Sequence, residues 1–329
     1  MPSPSTSLAT HRPDLEASLE AFDLQANMQG FIANQVFPVL EVNNKAGIFG
    51  KIPLAQLLQN GETRRAPGAG YSRSNWTFTT DSFSCEEHGH EEPVDDAEAA
   101  MYADFFDAEL IATNRAMSSV LVNHEKRLCD MLSGSGAEST FSGKITTLGG
   151  GAEWSNASGG KPVENVETAV QAIYDASGLW ANALILSKKT FRNLRANDQV
   201  RDRIASSGAG DPTKAEDITV NMMKAVFDLD YVLVAGGTKN SAIEGQSATP
   251  AQIWDDDYAM VAKIATNNDV REPCLGRTFH WSADGSAAGG TIESYRDEMV
   301  RSDIIRVRHD VHQKLLMTEC GHMIKNVKA

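Results

Sequence analysis

The sequence predicts an α+β chain, and three features carry that prediction. Phe106, Leu110, Met117, Leu121, Leu128 and Leu132 recur at spacings of four and seven, the apolar stripe of one long helix. AGIFGKI, NWTFTTDSF and, near the end, SDIIRVRHDVHQKLLM alternate in the manner of strands. Between the helix and the last strands, short helical and strand-like segments intermix, the pattern of a separate compact layer. With 329 residues, 41% hydrophobic and 22% charged, the chain has ordinary globular composition and the length of roughly two domains.

Taken in order, the first dozen residues are rich in Ser, Thr and Pro and read as an extended arm. Leu15, Leu19, Phe22 and Leu24 allow a short helix, and FIANQVFPVL ends the arm. From Asn44 to Phe83 two strand-like ends flank a connection carrying Gly61, Gly68, Gly70 and the pair Arg64-Arg65. An isolated hairpin is marginal in water, so this two-stranded excursion needs contact with something else to become ordered. After Pro93 the pattern turns helical. Asp95 followed by Glu98 has capping-box spacing and Gly134 supplies the stop, which predicts one helix from Asp96 to Ser133, about 57 Å long.

LGGGAEWSNASGGKP then reads as a boundary. Beyond it, Val163, Val166, Val170 and Ile173 mark a helix ending at Gly178, and ANALILS is a short strand. SKKTFRNLRAN, DQVRDRIAS and ITVNMMKAVFDL read as helices, DYVLVAGG and DDYAMVAKIA as strands. The last ~30 residues, including HMIKNV, are β structure by pattern.

Composition and motifs exclude several functions. A formal charge of −14, from 44 acidic against 30 basic residues, argues against coating nucleic acid by phosphate neutralisation. Cys85, Cys129, Cys274 and Cys320 form no CxxC pair, so no disulfide framework or zinc knuckle is indicated, and a reducing, intracellular place of synthesis fits. No run approaches the ~18 apolar residues of a spanning helix, and no secretory signal opens the chain. GGGAEW and ADGSAAGG match neither glycine-rich phosphate-binding frame, and there is no GxSxG elbow. Nothing indicates an enzyme or a cofactor.

The densest chemistry is CEEHGHEEPVDD, Cys85 to Asp96. Cys85, His88 and His90 have the donors for a metal, which leaves a metal-dependent enzyme centred on them as the lesser alternative, but there is no complementary pair elsewhere, and solvated acidic surface before a helix N-terminus explains the same residues. Arg64-Arg65 reads either as solvated or as a charge-assisted contact to carboxylates of another subunit, the Glu86 to Glu92 run being one candidate. His309 and His312 read as packing residues.

FPVLEV (Phe37 to Val42), TRRAPGAGYSR (Thr63 to Arg73) and CEEHGHEEPVDD leading into a long helix resemble the major capsid proteins of tailed phages, the Hong Kong 97-like fold. Recognisable motifs cover about the first 135 residues, and the remainder agrees in element order. The resemblance implies an N-arm over residues 1–42, an extended E-loop β-hairpin over 43–92, a P-domain with a long spine helix over 93–159, an A-domain over 160–290 and P-domain return strands over 291–329. It implies a structural protein, with no catalytic role, assembling into hexamers and pentamers of an icosahedral head. That head, assembled in the host cytoplasm, encloses double-stranded DNA without sequence-specific binding, and portal, scaffolding and decoration proteins are the implied partners. Inter-subunit contacts fall to Arg64, Arg65, Tyr71, Arg73, Glu86, Glu87, Glu91 and Glu92. Neither Lys45 nor Lys51 matches a crosslinking site, and no fused, removed scaffold segment is expected. The same resemblance leaves open a nanocompartment shell of the encapsulin kind.

Overall fold

The structure is a computed structural model and describes residues 10–11, 30–51, 59–61, 63–73, 75, 77, 79–102, 107–206, 218–243, 245–247, 249–269, 271–283 and 285–328. The short helix expected over 15–24, together with Trp76 and Phe106, lies outside these residues. The N-terminal third contains β1 (Thr10–His11), α1 (Ala33–Val36), β2 (Val39–Val42), β3 (Ala46–Lys51), β4 (Thr79–Ser84), β5 (Glu86–Asp95), α2 (Asp96–Tyr102) and α3 (Ala108–Ser133). The middle contains α4 (Ala137–Thr140), β6 (Ile145–Thr147), α5 (Pro162–Ser177), β7 (Ala183–Ser187), α6 (Lys188–Ala196), α7 (Asp198–Ser206), α8 (Val220–Phe227) and β8 (Tyr231–Ala235). β9 (Thr238–Asn240), β10 (Pro250–Gln252), β11 (Tyr258–Ala262), β12 (Gly276–Trp281), β13 (Thr291–Asp297), β14 (Ser302–Leu315) and β15 (Gly321–Lys325) complete the order.

Two sheets organise the body. In one, β6-β15-β11-β7-β8 lie side by side, and every residue of β7 is buried because both faces are covered. Leu184 and Leu186 face a core shared with α5 to α8, while Ala183 and Ile185 face a second core built with α1, α4 and the C-terminal half of α3. Local chemistry sets the helix starts: Pro162 occupies the first turn of α5, Ser187 caps α6 through Thr190 N–H, and Thr219 caps α8 through Met222 N–H.

The other sheet is elongated and centres on the 14-residue β14. β13 pairs with its first half and β12 with its second half on one side, and β5 pairs along the opposite side. Ala112, Ala116, Met117, Val120 and Leu121 of α3 pack on Ile292, Ile305 and Val307 of this sheet. Leu128, Cys129 and Leu132 belong to the core of the first sheet, so one 26-residue helix joins the two layers. At ~1.5 Å per residue it is about 39 Å long.

Two expectations need correction. The helix predicted from Asp96 to Ser133 is interrupted: Asp107 has an extended backbone, φ −82° and ψ 109°, and its carboxylate caps Glu109 and Leu110 N–H. Asp95 does cap Ala97 N–H, but the helix it begins ends at Tyr102. Leu110 consequently sits in the first turn of α3 and stays exposed, and alanines complete the inward face instead.

The acidic run is solvated and leads into a helix as expected, with Glu86, Glu87 and Glu91 exposed and α2 starting at Asp96, but the run itself is a paired strand. β5 pairs with β14 from Glu86↔Val311 to Asp95↔Ser302. Charged residues on both faces hide its alternation. Among the described residues its only strand partner is β14, an edge position that tolerates Pro93. At Gly89 a side chain would meet Val307 O at 2.9 Å, so glycine permits the close pairing.

The strands expected within 160–290 and 291–329 are divided between the two sheets. β12 joins the elongated sheet through β14 and β2, whereas β15, grouped by sequence with the return strands, pairs with β11 and β6. Strand pattern carries no information about which sheet a strand will enter.

Candidate assembly surfaces

The β3-β4 hairpin leaves the body from a firmly held root. Its register runs from Ala46↔Ser84 to Lys51↔Thr79. Phe83 stacks on Phe279 with ring centroids 4.7 Å apart, Phe49 lies 5.9 Å from the same ring, and Leu40 and Cys85 complete a small core beneath them. Lys314 bridges Asp81 and the Ser82 carbonyl. Lys45 pairs with the buried Asp310 at 2.7 Å and lies over the Trp281 ring.

Beyond the root, the described residues from 59 to 77 are all exposed. Ala69 N–H donates to Ala66 C=O across Pro67-Gly68, with Gly68 at φ +84°, the residue pair a type II turn requires. Arg65 closes this turn: its Nε donates to Ala69 C=O at 2.6 Å and its guanidinium sits 4.9 Å from the Tyr71 ring centroid. Tyr71 is nevertheless 72% exposed, and Arg64 and Arg73 are exposed beside it. Arg65 and Tyr71 are thus brought together as a preshaped, cationic, aromatic tip.

On β5 the four glutamates divide. Glu91 accepts from Tyr295 OH at 3.2 Å and faces Arg306 at 3.7 Å, and Glu92 faces Arg115 at 3.4 Å and His90 at 3.3 Å. Glu86 and Glu87 are exposed. Cys85 is buried against Phe279, and burial, with Asp310 nearby, pushes its thiol up to about 11. It is therefore a packing residue, and His88 and His90 point elsewhere. Among the described residues no three His, Cys, Asp or Glu side chains converge as metal ligands.

A cluster the motif reading missed lies under β5. His309 on β14 is edge-on to His88 at 5.9 Å and to His124 of α3 at 5.5 Å. Arg127 Nη2 lies 3.3 Å from His309 Nε2 and 3.4 Å from His124 Nδ1. A guanidinium only donates, so both ring nitrogens accept. The opposite nitrogens then donate, His309 Nδ1–H to Ala288 C=O and His124 Nε2–H to Asn34 Oδ1. Both histidines are held neutral. Burial, reinforced by Arg127 and His88, pushes His309 down to about 4, and burial holds His124 well below the ordinary histidine range. His124 and Arg127 are three residues apart on α3, but His88 and His309 come from distant parts of the sequence on two other elements, so no spacing links the whole group.

This arrangement makes stability pH-dependent. The unfolded chain takes up the His309 proton near pH ~6.5 and the folded chain only near 4. The contribution is complete above pH ~6.5, is lost as pH falls towards 4, and amounts to about 3 kcal/mol over that window. Urea unfolding of the unassembled subunit at pH 7 and pH 4.5 is expected to show this slope, reduced in His309→Gln. Equal slopes in both chains would count against the linkage.

Two curated proteins align with the chain nearly end to end. The major capsid protein of Burkholderia phage BcepMu is 25% identical over 305 residues, covering 90% of this chain and 91% of that one. The major capsid protein of Pseudomonas phage JBD67 is 20% identical over 315 residues, covering 96% and 97%. Among solved structures, a phage-related protein from Bordetella bronchiseptica RB50 superposes with a TM-score of 0.67 at 20% identity, covering 97% of this chain and 98% of that chain. The capsid of cyanophage P-SCSP1u does so at 0.58 and 11% identity, covering 88% and 86%. No protein-family model matches the chain. The fold is that of phage capsid subunits.

Proposed function

We propose that this chain is the structural major capsid protein of a tailed double-stranded-DNA phage, self-assembling into the hexamers and pentamers of an icosahedral head and located in the virion. The observation that carries this reading is the end-to-end alignment with two phage major capsid proteins, joined to a shared fold. The geometry supports it: a hairpin anchored at its root and exposed along its tip contributes little to its own subunit and is available to a neighbour. In a ring or shell many modest contacts of this kind act together. The chain's relatives are structural proteins, and it is read as a shell component rather than an enzyme.

The cationic tip with Arg64, Arg65, Tyr71 and Arg73, and the exposed acidic edge with Glu86 and Glu87, are complementary in charge and are assigned to inter-subunit contact. Glu91 and Glu92, already paired within the subunit, would shape that edge. DNA is enclosed without sequence-specific binding, in keeping with a net charge of −14. Assembly in the host cytoplasm with portal, scaffolding and decoration proteins completes the proposal. The nanocompartment alternative ranks below it, because both curated relatives are phage capsid proteins.

Negative-stain microscopy of the expressed, purified chain tests this reading. Closed shells of uniform size are expected, and a persistent monomer at high concentration would overturn it. DNA or a tail in particles from producing cells separates a phage head from a cargo compartment.

A further inference from the structure

We propose that Arg127 and the cleft beside it form a receptor for a carboxylate of a second copy of this chain, an inference that rests on the shell reading above. Arg127 projects from α3 between two cavities. One, of about 200 Å³, is bounded by Ser84, Glu86, His312 and Gln313. The other, of about 450 Å³, runs between β5 and α3 and is bounded by Glu87, His88, His90, Ser119 and Asn123.

The guanidinium is electrostatically incomplete within the subunit. Its hydrogen bonds to the described residues run through Nη2 alone, to two neutral histidines. Among the described residues no carboxylate reaches ion-pair distance of it, and the anion acting on it from farther away, Glu86, is exposed. A half-buried cation without a counterion is costly, and burial indeed lowers its pKa. A carboxylate entering the cleft meets the free edge of the guanidinium fork, where two parallel N–H···O bonds form.

The chemistry selects the source of that carboxylate. A chain with 44 acidic residues offers such a group from any neighbouring copy. DNA would instead bring a continuous row of phosphates past the exposed Glu86 and Glu87, whereas a side chain brings a single carboxylate.

The first arm of the test compares assembly. Arg127→Gln is expected to raise the protein concentration at half-assembly tenfold or more, while far-ultraviolet circular dichroism shows a folded subunit. Ser119→Ala, at the rim of the same cleft, is expected to leave that concentration unchanged. No rise for Arg127→Gln, or an equal rise for Ser119→Ala, would overturn the proposal. Because Arg127→Gln also removes donors to two buried histidines, a second arm leaves the cluster intact. Asn123, exposed at the rim of the cleft, is replaced by the photoreactive residue p-benzoylphenylalanine. Illumination of assembled particles is expected to join residue 123 to an Asp- or Glu-containing peptide of another copy. Crosslinks only within one chain, only to DNA, or none, would overturn the inference. Failure of the unmodified chain to assemble would instead strike the shell reading itself.

Discussion

Replacement of residues 52–78 by Asn-Gly is expected to leave a folded subunit that no longer assembles. Lys51↔Thr79 is the outermost pair of the hairpin among the described residues, so a two-residue type I′ turn is placed to close the ladder there. Everything that holds the root remains: Phe49 and Phe83 on Phe279, Asp81 with Lys314, and Lys45 with Asp310. The described residues that are removed are exposed and belong to none of the four cores, so the thermal midpoint should move by no more than a few degrees. The shortened chain loses Arg64, Arg65, Tyr71 and Arg73 together, and sedimentation should find it as isolated subunits at concentrations where the full chain forms shells. A cut beginning at Gly47 would be a poorer test, because it removes β3 and exposes Phe279. Shells formed by the shortened chain would show that assembly bypasses the tip, and an unfolded product would place the excursion inside the subunit.

The difference between those two cuts illustrates what the sequence could convey. Alternation in AGIFGKI and the last residues of NWTFTTDSF located both strands of the hairpin, because period two is a local property. The register, and the fact that Phe279, from far downstream in the chain, lies under Phe83, are not local. The same division holds for the long helix. Its apolar stripe was legible at Met117, Leu121, Leu128 and Leu132, all buried, but the interruption at Asp107 was hidden by an unbroken run of helix-compatible residues. CEEHGHEEPVDD was legible as unusual and illegible as a strand, since its order comes from pairing with β14 rather than from burial of one face. At the candidate surface, the residue types of the tip could be read directly, although the Arg65–Tyr71 contact could not. Arg127 and its histidines gave no signal: each alone is an ordinary residue of a helix or strand, and only the packing of α3 beneath β5 and β14 makes them one group.

Glu125→Leu is expected to destabilise the subunit by about 4 kcal/mol, since it deprives three buried donors of their acceptor. Glu125 is 1% exposed on α3, and its Oε1 accepts from Ile32 N–H at 3.0 Å and from Trp254 Nε1–H at 2.6 Å, while Oε2 accepts from Ala33 N–H at 2.8 Å. It therefore ties the first turn of α1, the strand-linking segment at Trp254 and the long helix to one another. Burial pushes its pKa up, with the hydrogen bonds from Ile32, Trp254 and Ala33 opposing that shift. Stability linked to this proton is present in full below the unfolded carboxyl pKa of ~4.3 and is lost as pH rises through the folded value. At neutral pH the ionised group is held at a cost that its donors largely offset. Glu125→Gln separates the contributions: it keeps an acceptor for Ile32 and Trp254 but turns an amide donor towards Ala33 N–H, so its loss should fall between those of Leu and the unmodified chain. Urea unfolding at pH 7 reads the order directly. A Leu variant within about 1 kcal/mol of the unmodified chain would mean that the three donors find water or other acceptors, and that the segment from Gly30 to Phe37 is held by its apolar contacts alone.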